Sequence, residues 1–166
     1  MSFCVVPSFL QGYWQDTFNL KQHLQDFLNS YLETIEQELV LRQQSLKEIG
    51  YRDLASEKAS DFNRDRVGQA YLFDLGYWHM SNQDYIKGTL TLISDRAAER
   101  VLDFGCGIGH AIAAALCRQV EQVVYCHLNP IYCNFVQSRA AKLGLSDKIF
   151  CCLEVSPTEV FEAIIC

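Results

Sequence analysis

The sequence predicts an α/β protein: a parallel sheet of about four strands layered with helices as a three-layer sandwich, preceded by N-terminal helices. Three observations predict it. From residue 99 onward, short apolar runs alternate with stretches of helical spacing, in the order strand, helix, strand, helix, strand that marks βαβ units. A glycine-rich turn separates the first of these runs from the helix after it. Finally, 166 residues with 49% hydrophobic and 20% charged side chains suffice for one compact domain, or for one domain with an appended helical segment.

The chain divides near residue 66, into an N-terminal helical segment (1–66) and a partial α/β domain (67–166). Residues 17–49 read as a long amphipathic helix. Leu24, Phe27, Leu28, Tyr31, Leu32, Ile35 and Leu39 recur at helical spacing. Asp16 or Thr17 suits its start and Gly50 its end. We read it as packed on the main domain in preference to a dimerisation helix. Residues 51–66 are polar and read as a linker. Residues 67–93 carry Tyr71, Phe73, Tyr77, Trp78 and Tyr85 and predict one or two helices. Then come a strand at Arg100–Phe104, a helix at Ile108–Gln119 and a strand at Gln122–Cys126. A helix at Ile131–Leu143 closes on Gly144, a strand follows at Lys148–Leu153, and a fourth falls within Val160–Cys166. Parallel crossovers are almost always right-handed, which sets the hand of the sheet.

Composition excludes several classes. Fourteen basic residues against twenty acidic ones give a net charge of −6, which disfavours a general nucleic-acid binder. No apolar run approaches the ~18 residues of a membrane span, so no membrane partner is expected. The N-terminus lacks a basic region and a long apolar stretch, and makes a poor signal peptide. Most of the eight cysteines sit inside apolar runs, which predicts reduced, buried thiols and a cytoplasmic protein. Adjacent Cys151 and Cys152 would face opposite sides of a strand. Cys126, His127 and Cys133 match no standard zinc spacing, and no metal is expected.

The glycine turn reads Asp103-Phe104-Gly105-Cys106-Gly107-Ile108-Gly109. Glycines let the backbone turn sharply and let a ligand approach. Dinucleotide folds use G-x-G-x-x-G, whose third glycine would fall on His110 or Ile112; both readings fail. The pattern D-x-G-x-G-x-G, after a strand and before a helix, resembles the first motif of class I S-adenosylmethionine-dependent methyltransferases, which are Rossmann-like. Leu128-Asn129-Pro130, the run Ala140 to Ile149 and the run Phe161 to Cys166 resemble the family's later elements, so the resemblance covers about residues 70–166. It implies S-adenosylmethionine as cofactor and methyl transfer to an acceptor, small molecule or protein, that the sequence does not identify. It implies a cofactor site of Asp103, Gly105, Cys106, Gly107, Gly109, His127 and Glu154. Gly107→Ala is then expected to abolish cofactor binding with little loss of fold.

Two departures stand out. Where the family ends its second strand with an acid that accepts both ribose hydroxyls, this chain has His127, and a neutral imidazole accepts one hydrogen bond. Asn129 is a candidate substitute, and His127→Asp is expected to tighten cofactor binding. The family generally has seven strands, whereas this chain reaches about the fourth. We therefore expect a fragment of a longer product or a sheet completed by a partner, with self-association through the exposed edge. Two rival readings stay open: a non-catalytic or degenerate binding module, and a nicotinamide-dependent oxidoreductase fragment. Among other candidates, His110 near a helix N-terminus should have a lowered pKa and suits a base or a cofactor contact. Cys106 in the turn sits where a thiolate is favoured, but no base for a nucleophile is identifiable. Tyr71, Tyr77, Trp78 and His79 either line the mouth of the site or belong to the core.

Overall fold

A computed structural model describes residues 82–166 except Gly109 and Arg118, together with residues 20, 22–24, 26–27, 72, 75–76 and 78–79. The expected linker at 51–66, the boundary near residue 66 and most of the helix at 17–49 lie outside the described residues. Within them run α1 (Gln83–Asp95), β1 (Arg100–Phe104), α2 (His110–Ala115), β2 (Gln122–Cys126), α3 (Pro130–Lys142), β3 (Ile149–Cys152) and β4 (Ala163–Ile165). The strands form one all-parallel sheet in the order β3-β2-β1-β4. The protein is an α/β chain with a Rossmann-like sheet.

That order has a geometric consequence. The chain steps from β1 to β2 to β3 in one direction, and right-handed crossovers put α2 and α3 on one face. The step from β3 to β4 reverses direction, so the connection at 153–162 crosses the opposite face. Phe161 and Val155 of this connection pack on Leu102, Val124 and Cys126. Arg100 holds it down. Its guanidinium donates to the Val160 carbonyl at 2.8 Å, pairs with Glu159 and lies 4.6 Å from the centre of the Phe161 ring.

The other face carries the main core. Val101, Val123, Tyr125, Ile149 and Ile165 point to it at period-2 spacing, against Ile86, Leu90 and Ile93 of α1 and the apolar surface of α2 and α3. The alanines of α2 keep that helix close to the strands, and every residue of α2 is buried. The N-terminal residues dock on α3: Phe27 meets Phe135 edge-on at 5.3 Å, Lys142 pairs with Asp26, and Arg139 Nε donates to His23 Nδ1 at 3.2 Å. A Cβ on Gly76 would collide with Leu24, so glycine there lets two helical stretches approach closely.

Three elements differ in length from the sequence reading. The helix expected over 108–119 is α2, His110–Ala115. Ile108 is apolar but still belongs to the turn, directly after Gly107, whose φ is +87°. At the other end Lys148 Nζ donates to the carbonyls of Ala115 (3.4 Å) and Val120 (2.7 Å), closing the helix. β3 is shorter by a residue at each end, and β4 spans Ala163–Ile165, because the chain before it is held as a loop by Arg100. α3 begins at Pro130 behind an Asn129 cap, whose Oδ1 accepts from the Ile131 N–H at 2.9 Å, and ends before Gly144 at φ +69°. Among the described residues no helix is long and apolar enough to cross a membrane.

Candidate functional site

Reversal of strand order between β1 and β4 opens a crevice at the carboxyl ends of those strands, the usual ligand position in open α/β sheets. The glycine turn stands there, and its polar groups are accounted for one by one. The Gly105 N–H donates to the Cys126 carbonyl at 3.0 Å, tying the turn to the end of β2. The Cys106 N–H donates to Asp103 Oδ1 at 3.2 Å. The Tyr125 hydroxyl donates to the Gly107 carbonyl at 2.7 Å, and the Cys106 carbonyl accepts from His110 Nδ1 at 3.2 Å.

The expected site residues occupy different settings. Asp103 points to the core face of β1 and is fully buried, and its Oδ2 has no hydrogen-bond partner. Burial pushes its carboxyl up to about 7, opposed by the Cys106 amide. Gly105 has φ +78° and open space around the position a Cβ would take. Gly107 is buried at φ +87°, and its Cβ would lie 3.4 Å from Leu75 Cδ2. This corrects the expectation that Gly107→Ala spares the fold: the added carbon meets a left-handed backbone and a packed leucine. Gly109 lies outside the described residues.

Cys106 is a second correction. Its thiol is driven well above the ordinary cysteine range, by burial first and by neighbouring Asp103 next, so the thiolate is disfavoured. Cys117, Cys126 and Cys133 are buried, Cys151 and Cys152 half-buried and Cys166 exposed; all are free thiols. Cys4 lies outside the described residues. Cys151 packs with the main core and Cys152 with the opposite face, as their adjacency requires. No group of three or more His, Cys, Asp or Glu among the described residues is placed to hold a metal.

His127 lies half-buried just past β2. Its ring stacks on Tyr125 at 6.0 Å and touches Tyr132 at 4.5 Å. The Asn129 N–H donates to His127 Nδ1 at 3.0 Å, which fixes the proton of the neutral ring on Nε2. Burial lowers its pKa to about 4. The acceptor nitrogen is therefore already engaged, and the ring offers a donor at Nε2. Asn129 is no substitute for a carboxylate: it is buried and its Oδ1 caps α3. Glu154 is exposed, two residues past the end of β3.

The sequence reading missed two residues that shape the turn. Tyr125 anchors the Gly107 carbonyl, and a tyrosine inside an apolar strand, on the face of Val123, signalled a buried hydroxyl in need of an acceptor. Leu75 closes over Gly107 from a distant helical stretch, which local spacing could not disclose. Comparison with known proteins gives no family: no protein-family model matches the chain and no curated protein matches it significantly.

Proposed function

We propose that the glycine turn binds S-adenosylmethionine and that the chain serves methyl transfer to an acceptor. The observation that supports this best is the turn itself: an unpartnered, buried Asp103 oxygen beneath Gly105, whose outer side is open, at the carboxyl end of β1. When bound, the cofactor would supply an electrophilic methyl group on a sulfonium. Asp103 would orient the turn through the Cys106 amide, and Gly105 would let the ligand approach the backbone. His127 would donate from Nε2 to a ribose oxygen, in place of the double acceptance a carboxylate gives. The covered sheet would exclude water beneath the site.

A nicotinamide reading fits less well. The third glycine of a dinucleotide loop would stand at His110 or Ile112, and both carry large side chains buried in the core. A binding-only module is the second reading, favoured by the engaged Nδ1 of His127. Isothermal titration with S-adenosylmethionine, S-adenosylhomocysteine and NAD separates these readings. Saturable binding of the two sulfur compounds and none of NAD supports the proposal; no binding of either sulfur compound at millimolar concentration overturns it. Binding without transfer to any acceptor favours the binding-only module.

A further inference from the structure

Four rings gather beside the glycine turn. Trp78 and His79 come from the helical residues before α1, Tyr85 from α1 and His110 from the head of α2. His79 stands perpendicular to His110 at 4.9 Å, and Tyr85 stands perpendicular to the same imidazole at 5.5 Å. Trp78 meets Tyr85 edge-on at 5.8 Å. The two imidazoles are almost fully buried, 3% and 2% exposed, while Trp78 and Tyr85 are 43% and 51% exposed. The cluster thus sets two buried imidazoles, its floor, beneath two half-exposed aromatic rings, its rim.

The floor is unsatisfied. Nε2 of His79 and Nε2 of His110 are both buried without a hydrogen-bond partner. For His110 the chemistry of that nitrogen follows from its neighbour. Nδ1 faces the Cys106 carbonyl at 3.2 Å, a carbonyl only accepts, and so Nδ1 carries the proton. Burial holds the ring neutral. Nε2 of His110 is therefore a bare lone pair lacking a donor. Buried polar atoms left without partners are uncommon in folded proteins, and such an atom is a natural acceptor for a water or a ligand group.

We infer that this cluster binds a flat aromatic molecule bearing a hydroxyl or N–H, its ring against Trp78 and Tyr85 and its donor on His110 Nε2. Exposed aromatic rims alone would also suit a cation. Here Arg139 acts electrostatically on His79 and opposes positive charge in the cluster. A neutral ring with one donor suits the exposed aromatic rings and the bare lone pair of His110. The hydroxyl or N–H so held is the kind of group that methyl transfer consumes, and the cluster is joined to the glycine turn through Cys106. Naming the ligand as the methyl acceptor rests on the function proposed above, whereas its binding does not.

The test uses the full chain without added cofactor, titrated with 2-naphthol and with 2-methoxynaphthalene, which keeps the ring and loses the donor. The hydroxyl compound is expected to bind at least about fivefold more tightly, the weight of one ordinary hydrogen bond. Trp78→Leu and Tyr85→Leu, both at the solvent-exposed rim, are each expected to weaken it about fivefold. In protein labelled with 15N-histidine, the His110 Nε2 resonance should be that of an unprotonated nitrogen and should move on adding 2-naphthol. Equal affinity for the two compounds, no effect of the rim substitutions, a protonated Nε2 or no binding would each overturn the inference. Titration with S-adenosylhomocysteine in the same samples reports on the cofactor reading separately, so the two can fail independently.

Discussion

Cys151 and Cys152 are consecutive in β3 and face two differently built sides of the same sheet. Cys151 looks into a core closed by helices, where Val101, Val123 and Tyr125 are fully buried. Cys152 looks onto the other face, where, among the described residues, the loop at 153–162 packs over Leu102, Val124 and Cys126 through Val155 and Phe161. The residues of both faces are apolar, so hydrophobicity does not distinguish them. What does is connectivity: helices follow the crossovers that run one way, and the single reversed crossover carries none. That reversal also creates the crevice holding the glycine turn, so the less protected face and the candidate site share one topological cause.

The largest expected effect tests this contrast directly. Tyr125→Ala should cost about 3–5 kcal/mol, as large buried aromatics do, and it also strips the Gly107 carbonyl of its donor. Phe150→Ala, on the opposite face and half-exposed, should stay within about 1 kcal/mol. Urea unfolding of the two variants measures both. Similar losses would mean the two faces are equally well packed, and the contrast would fail.

Acid stability sharpens the contrast at the covered face, where buried titratable groups pull in opposite directions. Asp103 keeps its proton in the folded chain up to about pH 7 and would release it near 3.8 when exposed, so this group favours the fold as pH falls from 7 toward 4. His79 and His127 stay neutral in the fold until about 3 and about 4, while exposed imidazoles take up protons below 6.5. They disfavour the fold as pH falls below 6.5. Between pH 6 and 5 the unfolded chain holds nearly two more protons than the folded one at these histidines, and the folded chain holds one more at Asp103. The net of one proton makes stability fall by about 1.4 kcal/mol per pH unit. His110, also lowered by burial, acts in the same direction. Asp103→Asn removes the opposing group and should steepen the fall by a further ~1.4 kcal/mol per pH unit. An unchanged slope in that variant, followed by denaturation across this range, would show that Asp103 is already ionised in the fold.

Much of this arrangement was legible in the sequence, for physical reasons. The apolar runs of β1 and β2 begin and end where the sequence places them, because parallel strands buried in a sheet read as unbroken hydrophobic segments. Asn129, Pro130 and Gly144 frame α3 through local rules of capping. Ile108 misled the reading of α2, since an apolar residue after glycine looks like a first helical turn and is in fact the last residue of a tight one. The site was legible only as a backbone pattern. That the His127 acceptor is consumed by the Asn129 amide, that Leu75 covers Gly107, and that Tyr85 meets His110 all depend on contacts between separated elements. The depressed acidity of Cys106 escaped for the same reason: a helix N-terminus favours a thiolate, but burial beside Asp103 outweighs it.

The two glycines of the turn separate fold from ligand approach. Both have positive φ, so alanine at either should cost about 1–2 kcal/mol of backbone strain. Gly107 is buried and its Cβ would reach van der Waals contact with Leu75, so alanine there has less room to relax and should be the more destabilising of the two. Gly105→Ala meets open space in the protein, so it should spare more stability while blocking the approach of the proposed cofactor. Thermal unfolding with and without S-adenosylhomocysteine reads both effects. If Gly105→Ala keeps full ligand stabilisation, the ligand does not pass over Gly105.

The smallest expected effect on stability concerns the open rim, and its larger consequence is for association. Phe104, Phe150 and Ile164 are 53%, 50% and 61% exposed, and all three belong to the face that the reversed crossover covers only in part. Among the described residues β4, three residues long, pairs only with β1. Exposed apolar strands at a free edge draw other chains together. Phe150→Glu with Ile164→Glu takes away two large apolar side chains and moves the net charge from −6 to −8 by two added carboxylates. Neither position is buried, so each substitution should change stability by no more than about 1 kcal/mol. Sedimentation velocity over a range of concentrations should show the parent chain associating reversibly and the double variant staying monomeric. A parent chain that sediments as a monomer throughout would mean that the crossover at 153–162, short as it is, already protects this face well enough.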